Sequence, residues 1–240
     1  LEKEKTMTES AHCLVIGVGP GLGMGCVRRF SEAKYKISMV ARHRGRLSSW
    51  AKEVPSSVGH AVDIADEVAF RTTLQNIVAR DGLPDVVVYN AARATLGPYT
   101  NISLKDFELN FKINTGGLLI TSQELAPAMV KRGSGSIIVT GNTGSQRGVP
   151  NFVGWSPTKA GQRILAESLA RELGPRGIHI AYVVVDALID MPFARRAFGD
   201  KPKDFFAQPK DLAETIFQTA KQPKSAWSFL VELRPFGETW

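Results

Sequence analysis

Cysteine is scarce in this sequence: two residues, Cys13 and Cys26, in a chain of 240. Two thiols are too few for the disulfide framework of a small secreted domain. With Cys13 in an expected strand and Cys26 in an expected helix, both read as reduced core residues, which suits a cytoplasmic protein. Histidine is sparse too, and His12, His43, His60 and His179 lack metal-ligand spacing, so no metal is expected. No apolar run approaches the roughly 20 residues that a membrane span needs, and no membrane partner is expected. Residues 1–10 are charged, with neither an apolar central segment nor a small-residue cleavage site, so they read as a flexible leader rather than a signal peptide. A Pro/Ser-rich linker is also missing, so residues 11–240 are expected to form one domain.

Lys and Arg number 30 against 23 Asp and Glu, a formal charge of +7. That excess suits an anionic partner. The basic residues are scattered as singles and pairs, however, without the dense tract interleaved with aromatics that nucleic-acid binding calls for. A nucleic-acid partner is therefore not expected. One local cluster stands out, Arg42-His43-Arg44 with Arg46.

What the chain does contain is regular alternation. Short β-branched runs at 13–16, 37–41, 86–89, 136–140, 179–185 and 228–233, with a weaker one at 59–62, are separated by stretches of helical spacing. The helices are expected over 22–32, 45–53, 66–80, 104–132, 156–173 and 209–221. Several strands are apolar on both faces, as a parallel sheet covered on two sides requires. The expected fold is α/β: one doubly wound, Rossmann-like domain on a mostly parallel seven-stranded sheet. Asp66 and Ser103 read as N-caps, and Gly174-Pro175 reads as a helix stop at a residue that tolerates positive φ. In such sheets ligands bind beyond the carboxyl ends of the strands.

After the first strand comes Gly17-Val18-Gly19-Pro20-Gly21-Leu22-Gly23-Met24-Gly25, leading straight into a helical pattern. Glycines there let backbone N–H groups and the positive end of the next helix approach a pyrophosphate. The alternative is a tight turn serving close helix–strand packing alone. The spacing G-x-G-x-x-G is not met, whereas G-x-x-x-G-x-G fits through Gly17, Gly21 and Gly23. That spacing resembles the short-chain dehydrogenase/reductase family, and further matches follow in order over roughly residues 11–233: Asp63-Ile64, Tyr89-Asn90-Ala91-Ala92, Asn114, and Lys159 in Trp155-Ser156-Pro157-Thr158-Lys159.

The resemblance implies a nicotinamide cofactor site built from Gly17, Pro20, Gly21, Leu22, Gly23, Asp63, Ile64, Asn90, Ala91, Ala92, Lys159 and Ile189. At the end of the second strand, where an acid would select NAD, the chain places Arg42 with His43 behind it, so the implied cofactor is NADP(H). The alternative for this cluster is a solvated helix start. The family's long helices also imply a homodimer or homotetramer through 104–132 and 156–173.

The catalytic pattern departs from the family's. Reduction of a carbonyl there uses a tyrosine, a lysine four residues later and a serine about thirteen earlier, because a new alkoxide needs a proton and a polarised oxygen. Here Lys159 and Asn114 are kept, Trp155 stands at the tyrosine position and Asn142 at the serine position, with Thr143 beside it. Indole N–H donates hydrogen bonds but does not transfer its proton near neutral pH. Trp155 is either a packing residue or a platform over substrate. The chain thus resembles a divergent subgroup that lacks the tyrosine. Asp186, just beyond the sixth strand, reads as either a loop cap or a substitute acid raised by burial, with Tyr99 a weaker candidate. Phe193, Phe198, Phe205 and Phe206 suggest a lid over a small apolar or aromatic substrate, or a partner-facing patch. Two functions are expected to compete: an NADPH-dependent reductase of carbonyls or imines with an atypical site, and a catalytically inactive NADP-binding sensor or scaffold.

Overall fold

The computed structural model describes residues 10–237, so the expected leader, Ser10 apart, lies outside the described residues. Seven strands form one sheet: β1 (His12–Ile16), β2 (Lys36–Ala41), β3 (Ser57–Ala61), β4 (Val86–Tyr89), β5 (Gly135–Gly141), β6 (Ile178–Val185) and β7 (Leu230–Leu233). Their order is β3-β2-β1-β4-β5-β6-β7, and every neighbouring pair is parallel. The sheet is thus wholly parallel where a mostly parallel one was expected. The weakest expected strand, at 59–62, begins two residues earlier and ends one residue earlier.

The strand period of two divides the core. Cys13 and Val15 of β1 point to one cluster, together with Met39, Val88 and Val183. Leu14 and Ile16 point to the other, with Val87, Tyr89, Val139 and Tyr182. Helices α1 (Leu22–Glu32), α2 (Arg44–Glu53) and α8 (Pro209–Ala220) cover the first face. On the second lie α3 (Glu67–Asp81), α5 (Gly117–Arg132) and α6 (Ser156–Leu173). Two shorter helices, α4 (Leu104–Phe111) and α7 (Pro192–Ala197), lie at the carboxyl end. Each fully buried large side chain, such as Phe30 or Leu74, contributes about 1.5–3 kcal/mol. Cys13 and Cys26 are free and buried, and burial pushes the Cys26 thiol up to about 12, so both are inert packing groups. Among the described residues no helix is long and apolar enough to cross a membrane.

Asp66 and Ser103 cap α3 and α4 as expected, accepting from the backbone N–H of Ala69 and Asp106. Two expectations need correction. The helix expected over 104–132 is divided: α4 and α5 are joined by a π-helical stretch, Lys112–Gly116. Side chains take the carbonyls freed there, Tyr89 Oη donating to Ile113 O at 2.5 Å and Gln162 Nε2 to Asn114 O at 2.6 Å. Gly174 does not adopt positive φ. It continues the turn at φ −56°, and Gly177, at φ 87°, is the left-handed residue that ends it. Pro175, at the first positions of that 3-10 turn, is compatible with its φ and prolongs it by one turn.

Three histidines are built into the sheet's supports. His12 Nδ1 lies 3.0 Å from Gly82 O and Nε2 2.9 Å from Ser38 Oγ, while His179 stacks on Trp227 with centroids 4.9 Å apart. Burial lowers the pKa of His12, His60 and His179 from the usual 6.5. The unfolded chain therefore takes up protons first as pH falls. The stability these groups contribute is complete above 6.5 and is lost as pH drops below it toward their folded values. Urea denaturation midpoints are expected to fall between about pH 8 and about pH 5.5; a flat profile contradicts the burial of neutral imidazoles.

Candidate active site

The carboxyl ends of β1 and β4 meet at the point where strand order reverses, and the glycine-rich turn lies over it. Gly17 is left-handed, and a β-carbon on it would sit 2.4 Å from the backbone N and Cα of Ala91. Its N–H and that of Val18 both donate to Val40 O. Asn90 locks the arrangement: its Nδ2 donates to Gly17 O at 2.8 Å, and its Oδ1 accepts from Thr140 Oγ1 at 2.9 Å. Three strand ends are thereby tied by one amide. Gly23 packs on the turn itself, since a β-carbon would come within 2.8 Å of Val18 Cα. Gly21 abuts the side chains of Ile189 and Met191 at ordinary contact distance, and Ile189 is held by a bridge to Ala207. Leu22 is buried in the first turn of α1, Pro20 is exposed, and Gly21 caps the helix without a side-chain hydrogen bond. The turn thus offers glycine-lined backbone at the positive end of α1.

Beside it opens a cleft of about 300 Å³ whose lining includes Gly17, Arg42, His43, Asp63, Ala91 and Ala92. Arg42, His43, Arg44 and Arg46 are exposed, and none of these arginines joins an ion pair among the described residues. Because α2 begins at Arg44 with no acid in its first turn, cations crowd the positive end of a helix, an unfavourable placement unless an anion joins them. Asp63 Oδ1 accepts from Ala65 N–H at 2.9 Å, and Ile64 is buried against Gly117. Across the cleft, the Asn114 amide accepts from Arg93 N–H and donates to Arg93 O, pinning the loop after β4.

At the start of α6 the structure gathers Lys159, Trp155, Asn142 and Asn114. Lys159 is 3% exposed, and its Nζ donates to Thr140 O at 3.0 Å and Gln162 Oε1 at 2.7 Å. Burial pulls its pKa from the usual 10.5 down to about 7. Asn114 Nδ2 also donates to Thr158 Oγ1 at 2.7 Å. The Trp155 ring stacks on Phe152 with centroids 5.6 Å apart, while its Nε1 is buried with no partner. Asn142 Oδ1 and Ser156 Oγ are likewise buried and unpartnered, and each lies about 3 Å from where a β-carbon on Gly144 would stand. A buried polar group left unsatisfied costs about 1–3 kcal/mol, and three such atoms near one helix start mark a place that awaits polar contacts.

Other expected candidates sit elsewhere. Asp186 is ion-paired with Arg234, which also reaches Glu232, so the apolar surroundings that a substitute acid needs are absent and that expectation falls. Tyr99 is 77% exposed. The expected aromatic lid is half core: Phe206 is buried beneath the Arg195 guanidinium, which forks onto Asp190, and Phe205 packs edge-on against it. Phe193 and Phe198 are exposed. Sequence reasoning missed Ser156, Arg93 and Gln162. For Gln162 a signal existed, an amide three residues after Lys159 and so on the same face of α6.

Residues 11–195 match the short chain dehydrogenase family, and the chain belongs to it. It is 30% identical over 214 residues to an L-xylulose reductase of Bos taurus, covering 85% of this chain and 86% of that one. Carbonyl reductase [NADPH] 2 of Sus scrofa is 30% identical over 213 residues, with coverage of 85% and 86%. A short-chain dehydrogenase from Rhodopseudomonas palustris superposes with a TM-score of 0.81 at 26% identity, over 94% of this chain and 99% of that one.

The glycines themselves can be separated by substitution. Gly17→Ala is expected to destabilise the fold by about 3 kcal/mol or more, through the left-handed φ and the collision with Ala91. Gly19→Ala, whose β-carbon meets nothing within 4 Å, is expected to stay within about 0.5 kcal/mol. Paired thermal melts decide; equal melting temperatures contradict the close approach.

Proposed function

We propose that this chain is an NADPH-dependent oxidoreductase of the short-chain type that reduces a small apolar or aromatic carbonyl or imine, with an active site that lacks the phenolic acid. The observation that carries this reading is the set of buried, unpartnered polar atoms at the start of α6: Asn142 Oδ1, Trp155 Nε1 and Ser156 Oγ. They offer hydrogen bonds to a reacting group, and none of them is an acid near neutral pH.

The residues fit the cofactor. Gly17 leaves backbone where a side chain cannot stand, which suits close approach of a pyrophosphate. Arg42, with Arg44 and Arg46 nearby, suits the ribose 2′-phosphate that distinguishes NADPH, because an anion there turns the crowding of cations at the α2 start into an attraction. The relatives named for carbonyl reduction and for NADPH point the same way. Asp63, Ile64, Asn90, Ala91, Ala92, Pro20, Leu22 and Ile189 complete the proposed site.

The chemistry such a nucleotide supplies is a hydride. The chain's own part is to orient and polarise the acceptor. Trp155 N–H donates to a substrate oxygen, while Asn142 Oδ1 accepts from the N–H of an iminium. Hydride addition to an iminium gives a neutral amine and needs no further proton, whereas addition to a carbonyl leaves an alkoxide. Lys159 Nζ is enclosed by Thr140 and Gln162. An imine therefore suits this site better than a ketone.

The enclosure of Lys159 also supports a second reading, a catalytically inactive NADP-binding sensor or scaffold. Exposed Leu119 on α5 and Ile164 on α6 support self-association through those helices, and the inert thiols support a reducing, cytoplasmic setting.

Arg42→Ala is expected to weaken NADPH binding about ten- to a hundredfold, the loss of a charge-assisted hydrogen bond, and to leave NADH binding unchanged. Fluorescence titration reads both affinities, and an equal loss for the two dinucleotides contradicts the 2′-phosphate contact. NADPH consumption is expected with imines ahead of ketones, and Trp155→Tyr is expected to raise ketone reduction. Tight NADPH binding with no hydride transfer to any acceptor selects the sensor instead.

A further inference from the structure

We propose that Gln162 is a positioning residue that clamps the Lys159 side chain to the Asn114 carbonyl and so fixes the place of the lysine at the reacting end. The importance of that lysine rests on the function proposed above; the clamp itself stands on geometry within the protein.

Gln162 is fully buried. Its Nε2 donates to Asn114 O at 2.6 Å, and its Oε1 accepts from Lys159 Nζ at 2.7 Å. The orientation of the amide is forced: a backbone carbonyl only accepts, so the NH₂ half faces Asn114 and the oxygen half faces the lysine. Asn114 O is available because it lies in the π-helical stretch between α4 and α5. Among the described residues Lys159 Nζ has one further acceptor, Thr140 O near the end of β5. The side chain is thus held between α6, the π stretch and β5.

The groups around this clamp are neutral. Tyr182 Oη of β6 lies 3.3 Å from both Gln162 Oε1 and Lys159 O, and burial raises its pKa, so it remains a phenol and donor. Tyr89 of β4 donates to Ile113 O and is raised in the same way. Arg163, the next residue on α6, turns outward to Ser145 O and Glu167. Among the described residues no carboxylate acts on Lys159, whose low pKa has burial as its cause. A neutral acceptor at position 162 opposes that burial only weakly. A carboxylate there would oppose it, and an apolar side chain would deepen it.

The experiment is a pH titration of the full, cofactor-free chain with ε-¹³C-lysine, read by NMR, with Lys159→Met to assign the signal. The native midpoint is expected at about 7. Gln162→Met, which keeps the shape and removes the acceptor, is expected to lower it by about one unit, tenfold in proton affinity. Gln162→Glu is expected to raise it by about one to three units. A midpoint that neither variant moves overturns the clamp. Should the Met variant not fold, the Glu variant alone decides. NADPH affinity measured across the same pH range tests the functional reading separately: a midpoint that shifts while affinity stays flat upholds the clamp and removes Lys159 from the cofactor site.

Discussion

Everything at the carboxyl edge of this sheet depends on one backbone-on-backbone contact, the approach of Gly17 to Ala91 where β1 and β4 lie side by side. No other residue type fits there, because φ is left-handed and the space for a β-carbon is already filled. The contact brings the glycine-rich turn, the loop after β4 and the Asn90 amide into one rigid corner. From that corner α1 departs with its positive end toward the cleft, and β2 delivers Arg42 to the opposite wall.

Two kinds of cation serve the proposed site, and they are treated oppositely. The arginines at the α2 start are exposed, and none joins an ion pair among the described residues. Lys159 is enclosed and partnered by neutral oxygens alone. Water stabilises the first set and is withheld from the second. The arginines therefore keep their charge at any ordinary pH, whereas burial makes that of Lys159 depend on protonation.

Much of this was legible in the sequence, and what was not shares a physical cause. Gly17, Gly21 and Gly23 were readable because a left-handed turn and a close approach both select the residue lacking a side chain. The strands were readable because burial on two faces leaves continuous apolar runs, and Asp66 and Ser103 because caps act within three residues. Most of the unread features depend on partners distant in sequence. Asp186 looked like a candidate acid until Arg234 was found beside it. Phe206 looked like part of a lid until the Arg195 guanidinium covered it. The π stretch was hidden because the groups that claim its carbonyls, Tyr89 and Gln162, lie on other elements. At position 174 the sequence offered a suitable glycine, and the chain used the next available one, Gly177.

That π stretch also acts as a phase shifter. Each residue of an α-helix advances the side chains by about 100°, so the wider turn between α4 and α5 lets the two rods present unrelated faces while remaining one continuous column. Leu118, Leu125 and Met129 are thereby aimed at the sheet, although the column begins at its solvent-washed rim. Shortening it by one residue would rotate the whole lower half out of register with the sheet, which makes this junction intolerant of insertion or deletion.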